Sequence, residues 1–303
     1  MTLSRLLKAA VLLVVLAGVL YFYAPARLAA YVLAGRSPHC PFSQAIQSAD
    51  ELRRQIRLKD EILNASREVE KDPAGYHLWE SPRGRFWMPA GSDYVLPFNL
   101  AEQARKIYGT RETAVRPGDI VLDCGANVGV YTRDAIEAGA KVVVAIEPAP
   151  ENIECLRRNF PAEVASGRVI IYPKGVWDKD DFLTLNVDPN NSAADSFLIQ
   201  REGSHGVQKV PLTTIDKLVT ELKLERVDLV KMDIEGAEPN ALEGARETLS
   251  RFKPRLTISA YHAPDHPRVI PEKIRAIRAD YRMECGPCAE ANWGVRPDIL
   301  YFF

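Results

Sequence analysis

The stretch Ile120-Val121-Leu122-Asp123-Cys124-Gly125-Ala126-Asn127-Val128-Gly129 decides the fold. An apolar run ends on a carboxylate and enters a turn with two glycines, the pattern of a strand that leads through a tight loop into a helix. Working outward, strand and helix signals keep alternating. Lys141 to Ile146 reads as a second strand ending at Glu147, and Pro148 and Pro150 open a helix with Ile153, Leu156 and Phe160 on one face. Val169 to Tyr172, Val227 to Met232 and Leu256 to Ala260 supply three further strands. Thr214 is placed to cap a helix carrying Ile215, Leu218, Val219 and Leu222. After Pro239, Leu242, Ala245, Leu249 and Phe252 recur at helical spacing, and another helix is expected around Glu272 to Ala279. Two last strands fall near Tyr281–Glu284 and Asp298–Phe303. This alternation predicts an α/β fold, a mostly parallel sheet with helices on both faces. The polar excursion from Trp177 to Gly206 is too long for a simple connection, and such loops tend to carry function.

Upstream the character of the chain changes. Its 39 Lys and Arg nearly balance 40 Asp and Glu, for a net charge of -1, which argues against a general nucleic-acid binder. Residues 1–36 nevertheless hold Arg5, Lys8, Arg27 and Arg36 without an acid, so the remainder is net acidic. Ala9 to Ala26 is uncharged and as one helix would be about 27 Å long, close to the hydrocarbon thickness of a bilayer. Tyr21 and Tyr23 lie where amphipathic rings favour the membrane boundary. The expectation is a single-pass membrane anchor; a cleaved signal peptide ending near Ala24-Pro25-Ala26 is the alternative. Ser48 to Lys71 reads as a charged helical stalk with Ala49, Leu52, Ile56 and Leu63 on a coiled-coil-like seam. The expected organisation is therefore an anchor with its flanks over residues 1–36, a linker over 37–75 and a catalytic domain over 76–303.

The loop after the first strand specifies a ligand class. Gly125 and Gly129 permit a tight turn and close backbone approach at the start of a helix. A dinucleotide fingerprint would need glycine where Asn127 stands, so a pyrophosphate fits poorly and a ligand joining an amino acid to a nucleoside fits better. Asp123 at the strand end is placed to attract an ammonium group. Glu147, about 20 residues on, can accept bonds from two ribose hydroxyls. The candidate cofactor-binding set is Asp123, Gly125, Asn127, Gly129 and Glu147.

The run Val121 to Thr132 resembles the first motif of the FkbM-type S-adenosylmethionine-dependent methyltransferases, and Ala145-Ile146-Glu147-Pro148 and Thr214-Ile215-Asp216 resemble later ones. The most family-specific match is Val230-Lys231-Met232-Asp233-Ile234-Glu235-Gly236-Ala237-Glu238. The resemblance runs from about Arg83 to the C-terminus and departs at Cys124, where the family usually has an apolar residue. It implies a class I methyltransferase (Rossmann-like) fold with an antiparallel C-terminal strand, S-adenosylmethionine as the donor, and most often O-methylation. Hydroxyls on sugars, lipid-linked compounds or secondary metabolites are the acceptors it permits. Because that donor is cytosolic, the catalytic body is expected on the cytoplasmic side.

Asp233 and Glu235 close the fourth strand, at the sheet edge where open α/β folds place their sites. With His262, after the fifth strand, they are the candidates for general base toward a hydroxyl. Asp233 and Glu238 also suit the plain role of capping the helix near Pro239. Asp233, Glu235 and His262 are competent to hold a divalent cation, but their spacing does not demand one and no metal is expected. Cys285-Gly286-Pro287-Cys288 has the letters of a redox dithiol but sits in an expected hairpin, where Gly-Pro is ordinary turn chemistry. Two rival functions remain at this point: a nicotinamide-dependent reductase, and an anchored binding module with a degenerate site.

Overall fold

The computed structural model describes residues 3–92, 94–109, 111–187, 191–193, 195–199 and 205–303. In chain order it opens with helices α1 (Leu3–Phe22), α2 (Ala24–Leu33) and α3 (Phe42–Asn64), followed by strands β1 (Arg67–Asp72), β2 (Tyr76–Ser81) and β3 (Gly84–Pro89). Next come α4 (Val95–Ala104), β4 (Ile120–Cys124), α5 (Val130–Glu137), β5 (Val142–Ile146), α6 (Pro150–Asn159), α7 (Pro161–Ala165) and β6 (Val169–Tyr172). A small sheet is built from β7 (Gly175–Val176), β8 (Asp181–Val187) and β9 (His205–Thr213). The chain then forms α8 (Ile215–Glu221), β10 (Leu229–Met232), α9 (Glu238–Glu243), α10 (Arg246–Phe252), β11 (Arg255–Ser259) and α11 (His266–Ile277). It closes with β12 (Met283–Cys285), β13 (Cys288–Ala291), β14 (Gly294–Pro297) and β15 (Ile299–Phe302).

Two compact units result: residues 1–54 with 285–298, and residues 55–284 with 299–303. The second is centred on a seven-stranded sheet in the order β12-β15-β11-β10-β4-β5-β6. The strands from β6 to β11 across that order run parallel, and β15 lies antiparallel against β11, as the sequence led one to expect. The run Val142–Ile146, rich in β-branched residues, and the strand Leu229–Met232 are buried on both faces, as helix-covered parallel strands are. Because β4 neighbours both β5 and β10, the chain leaves β4 in one direction and returns on its other side. That switch opens a crevice at the carboxyl ends of β4 and β10.

The smaller unit holds α1, α2, the start of α3 and the β13–β14 hairpin. Its core joins Leu28, Cys40, Ala45, Cys288 and Val295, and Cys40 and Cys288 form a disulfide. Cys288 therefore pairs with a residue 248 positions away and not with Cys285, a choice that spacing alone cannot reveal.

Several expectations need correction. The spanning helix expected over Ala9–Ala26 stops at Phe22, and the chain bends by 104° at Tyr23 into α2, whose first turn contains Pro25. Proline lacks the amide needed to continue α1 but suits a helix start. Among the described residues no single helix is long and apolar enough to cross a membrane, although α1 and α2 together pass that test. The stalk helix ends at Asn64 instead of Lys71, because Arg67–Asp72 pairs antiparallel with β2. Its buried positions are Ala45, Ser48, Gln55 and Ile62, while Leu52 and Ile56 are exposed, so the seam lies on a neighbouring face. The helix expected after Pro239 is two helices. The break falls at Gly244 and Ala245, and Gly244 allows the Trp177 carbonyl to approach where a Cβ would lie 2.0 Å from it. Of the excursion from Trp177 to Gly206, residues 188–190, 194 and 200–204 lie outside the described residues.

Candidate active site

The crevice above β4 and β10 holds a pocket walled by the loops that follow both strands, with Gly125, Asn127, Asp233 and Glu235 among its lining residues. One wall is the loop after β4. Gly125 has φ +78°, and a Cβ there would lie 1.9 Å from the Asp233 carbonyl oxygen. Gly129 has φ +93°, and a Cβ would lie 2.2 Å from the Phe160 ring. Only glycine allows this loop to pass so close to β10 on one side and α6 on the other. Asn127 also has a positive φ, +49°, a conformation asparagine tolerates, and its side chain donates to the Ser192 carbonyl at 3.0 Å.

Glu147 sits at the base of the pocket, 5% exposed. Its two oxygens accept from the backbone amides of Asn127 at 2.8 Å and Ala149 at 2.9 Å. Burial pushes this carboxyl up to about 7, against the two amides, which favour the charged form. A side-chain bond from Asn152 also favours the charged form, and a hydroxyl reaching the carboxylate would find its oxygens already aimed.

Asp123 is placed differently from expectation. It is fully buried beneath the loop, accepts from Thr132 Oγ1 at 2.7 Å, and pairs with Lys231 Nζ at 3.2 Å. The ammonium it attracts is thus the protein's own. Lys231 also donates to the Gly125 carbonyl at 2.7 Å and lines the pocket. Burial disfavours its charge, but Asp123 and Asp233 outweigh this and raise its pKa.

Asp233, Glu235 and His262 do come together. His262 Nε2 lies 3.5 Å from Asp233 Oδ1 and 3.5 Å from Glu235 Oε1, and the two carboxylates line the pocket. Behind them Glu238, wholly buried, meets His262 Nδ1 at 2.9 Å, accepts from the Ile234 amide at 3.0 Å, and lies 3.5 Å from His266 Nδ1. Burial opposes charge on His262, yet Glu238, Glu235 and Asp233 raise its pKa well above the ordinary value. Burial likewise works to raise Asp233, but Lys231, His262 and the bond from Tyr108 Oη at 2.7 Å hold it below the ordinary carboxylate range. Neither Asp233 nor Glu238 makes a side-chain cap bond, although Glu238 stands in the first turn of α9, where its charge suits the helix dipole. The N-cap of α9 is Ala237, and Asp233 is held by Tyr108 instead.

Sequence reasoning missed Tyr108 and Lys231. A lysine inside the apolar strand Leu229–Met232 was a usable signal, because a charge there must find a partner. Nothing local marked Tyr108, which reaches Asp233 only through the fold. The excursion does come over the site: Ser192, Ala193, Asp195 and Phe197 line the pocket, and Ser196 Oγ donates to the Glu235 carbonyl at 2.7 Å.

A doubly wound sheet with an acid after β5, a glycine loop after β4 and acids after β10 has the layout of a nucleoside-binding α/β enzyme. Residues 123–283 match the family described as the methyltransferase FkbM domain, and the chain belongs to that family. Among curated proteins it is similar to the 2-O-methyltransferase NoeI of Sinorhizobium fredii, 27% identical over 156 residues, covering 46% of this chain and 62% of that one. It is also similar to the hexuronic acid methyltransferase AglP of Haloferax volcanii, 26% identical over 150 residues, covering 50% of this chain and 59% of the relative. The match thus spans about three fifths of these relatives' length. Among solved structures, a methyltransferase FkbM from Methylobacillus flagellatus aligns with a TM-score of 0.46 and 20% identity, over 85% of this chain and 60% of its own.

Proposed function

We propose that this chain is an S-adenosylmethionine-dependent O-methyltransferase acting on a hydroxyl of a sugar, lipid-linked or secondary-metabolite acceptor. The observation that carries the reading is Glu147, buried at the pocket base with both oxygens oriented by backbone amides, facing a carboxylate cluster on the other wall. The residues present fit the donor: the glycine loop leaves space that any Cβ would fill, and Glu147 offers lone pairs to the ribose hydroxyls. S-adenosylmethionine bound there supplies a methyl group carried on a sulfonium. Positioning by the pocket wall then contributes much of the rate.

The acceptor's proton needs a base, and the cluster assigns the parts. His262 is held charged by its carboxylates, so it orients them and accepts nothing further. Asp233 is occupied by Tyr108 and lowered. Glu235, which lines the pocket beside His262, is the carboxylate that receives the proton. The 2-O-methyltransferase name of one relative and the hexuronic acid of another support a hydroxyl-bearing sugar.

Membrane attachment belongs to the same reading. Leu12, Leu13, Val14, Tyr21 and Phe22 on α1 are all at least half exposed, an apolar surface that suits lipid. On the cytoplasmic side, where the donor is made and thiols are kept reduced, the Cys40–Cys288 pair would be a reversible bond and not a permanent staple. Calorimetry with S-adenosylmethionine on the full chain and on Glu147→Ala tests the donor reading, with an NADH titration alongside. Donor binding lost in the variant supports it; NADH binding in place of donor binding sinks it. Carbonate extraction of membranes, followed by protease protection, tests attachment and side.

A further inference from the structure

We propose that Trp293, at the tip of the β13–β14 hairpin, seats on the headgroup layer of an anionic bilayer, with Arg36 beside it to meet lipid phosphate. The inference rests on the membrane attachment read from α1 and adds a second point of contact to it. The first observation is the turn itself. Ala291 pairs with Gly294, so Asn292 and Trp293 alone connect the strands, with φ +50° and +60°. Two-residue turns with both φ values positive favour asparagine followed by glycine, because glycine enters the left-handed region at no steric cost. A tryptophan in the second place is a backbone outlier, and such strain persists where it serves packing or function. Packing is not the reason, since Trp293 is 75% exposed.

The second observation is what stands next to the ring. Arg36 Nη1 donates to the Trp293 carbonyl at 3.0 Å, and the Val295 amide donates to the Arg36 carbonyl at 2.9 Å. The hairpin tip is thus tied to the chain just after α2, where Leu33 is 85% exposed. Arg27 is neutralised by Glu290 of the same hairpin, but Arg36 has no acidic partner among the described residues.

Charge selects the occupant. The unit that holds the hairpin and α2 carries seven Lys and Arg against four Asp and Glu, a net +3 in a chain of net -1. It also holds α1, whose leucines and valines are exposed. An indole, a leucine and an unpaired guanidinium on a basic, apolar unit match the boundary of an anionic bilayer. The ring settles at headgroup level, and the cation is attracted to the negative surface. An apolar pocket on another protein would accept the ring but leaves the excess of positive charge without a role.

The test uses the full chain reconstituted into vesicles of phosphatidylcholine and phosphatidylserine, brominated high on the acyl chains to quench fluorescence. The difference between wild type and Trp293→Gly isolates this emission from that of the other three tryptophans. That emission is expected to shift to the blue and to be quenched. On vesicles, amide exchange across residues 288–297 should be about tenfold slower in wild type than in Trp293→Gly, the scale for burying one aromatic ring. Arg36→Gln should exchange about fivefold faster than wild type there, the scale for one cation at an anionic surface. In detergent Trp293→Gly should melt no lower than wild type, because glycine adopts the turn freely. A clear drop in melting temperature would give the ring a structural role and overturn the proposal. Unquenched emission from a chain that floats with the vesicles overturns the contact and leaves the α1 attachment standing, whereas a chain that does not float removes both. A blue shift that appears without lipid and grows with protein concentration assigns the ring to a second copy and overturns the lipid contact as well.

Discussion

Lys231 Nζ lies 3.2 Å from Asp123 Oδ1, and neither side chain is more than 5% exposed. The pair crosses from β10 to β4 beneath the pocket and fixes the Gly125 carbonyl through the same ammonium. Removing one member strands the other charge in the interior. Lys231→Met is therefore expected to cost about 3–5 kcal/mol of stability by chemical denaturation. The double variant Lys231→Met/Asp123→Asn should recover much of that loss. If instead Lys231→Met abolished donor binding while leaving the denaturation midpoint untouched, Lys231 would be a ligand group and not part of the scaffold.

Gly125→Ala makes a sharper demand on the loop. The new methyl would overlap the Asp233 carbonyl at 1.9 Å, in a backbone conformation that alone costs alanine about 1–3 kcal/mol. Loss of donor binding together with a lowered melting temperature is expected. Gly118→Ala is the control: it shares a positive φ of +87° but has nothing within 4 Å, so it should cost only the conformational part and leave binding intact.

These residues also show how far the sequence could be read. The strand–loop–helix at Ile120 to Gly129 was legible because burial on both faces imposes β-branched runs, and because a tight turn imposes glycine. Glu147 followed from its distance after that loop. Asp123 was misjudged because a carboxylate at a strand end looks the same whether it meets a ligand's ammonium or a lysine from the next strand. The register Asp123 to Lys231, fixed by parallel pairing of β4 with β10, decides between them. His262 could be nominated from its place after the fifth strand, but its support by Glu238 depends on the start of α9 meeting the loop after β11. The Cys40–Cys288 bond lay furthest from view, since no local pattern joins residues 248 apart.

That bond gives a third expectation. Closing so long a loop restricts the unfolded chain, and disulfides typically contribute about 2–4 kcal/mol. Reducing the purified protein should lower the stability of the unit holding α2 and the β13–β14 hairpin by that amount, as should Cys40→Ser. Donor binding, in the other unit, should persist. Hydrogen exchange resolved by peptide separates the two: faster exchange across residues 24–54 and 285–298 with an unchanged pocket is expected. Equal acceleration in the sheet strands β4 and β10 would show that the bond stabilises the whole chain.

Glu147 carries the pH dependence. Its carboxyl is raised from 4.5 to about 7, because burial outweighs the bonds from the Ala149 and Asn127 amides and the Asn152 side chain. Between those values the unfolded chain is ionised while the folded chain retains its proton, so stability falls as pH rises through that window, by up to about 3 kcal/mol. A donor that presents two hydroxyls to this carboxylate favours its charged form, so the sign for binding is the reverse. Affinity should rise about tenfold from pH 6 to pH 8 and level off above 7, with proton release on binding detectable by calorimetry in buffers of different ionisation enthalpy. Glu147→Gln cannot ionise: its residual donor affinity should be flat across the same range, and its melting temperature should lose the decline between pH 5 and 7. A wild-type affinity that falls across that range would mean that Glu147 meets the ligand as a neutral acid, donating one hydrogen bond to a hydroxyl oxygen.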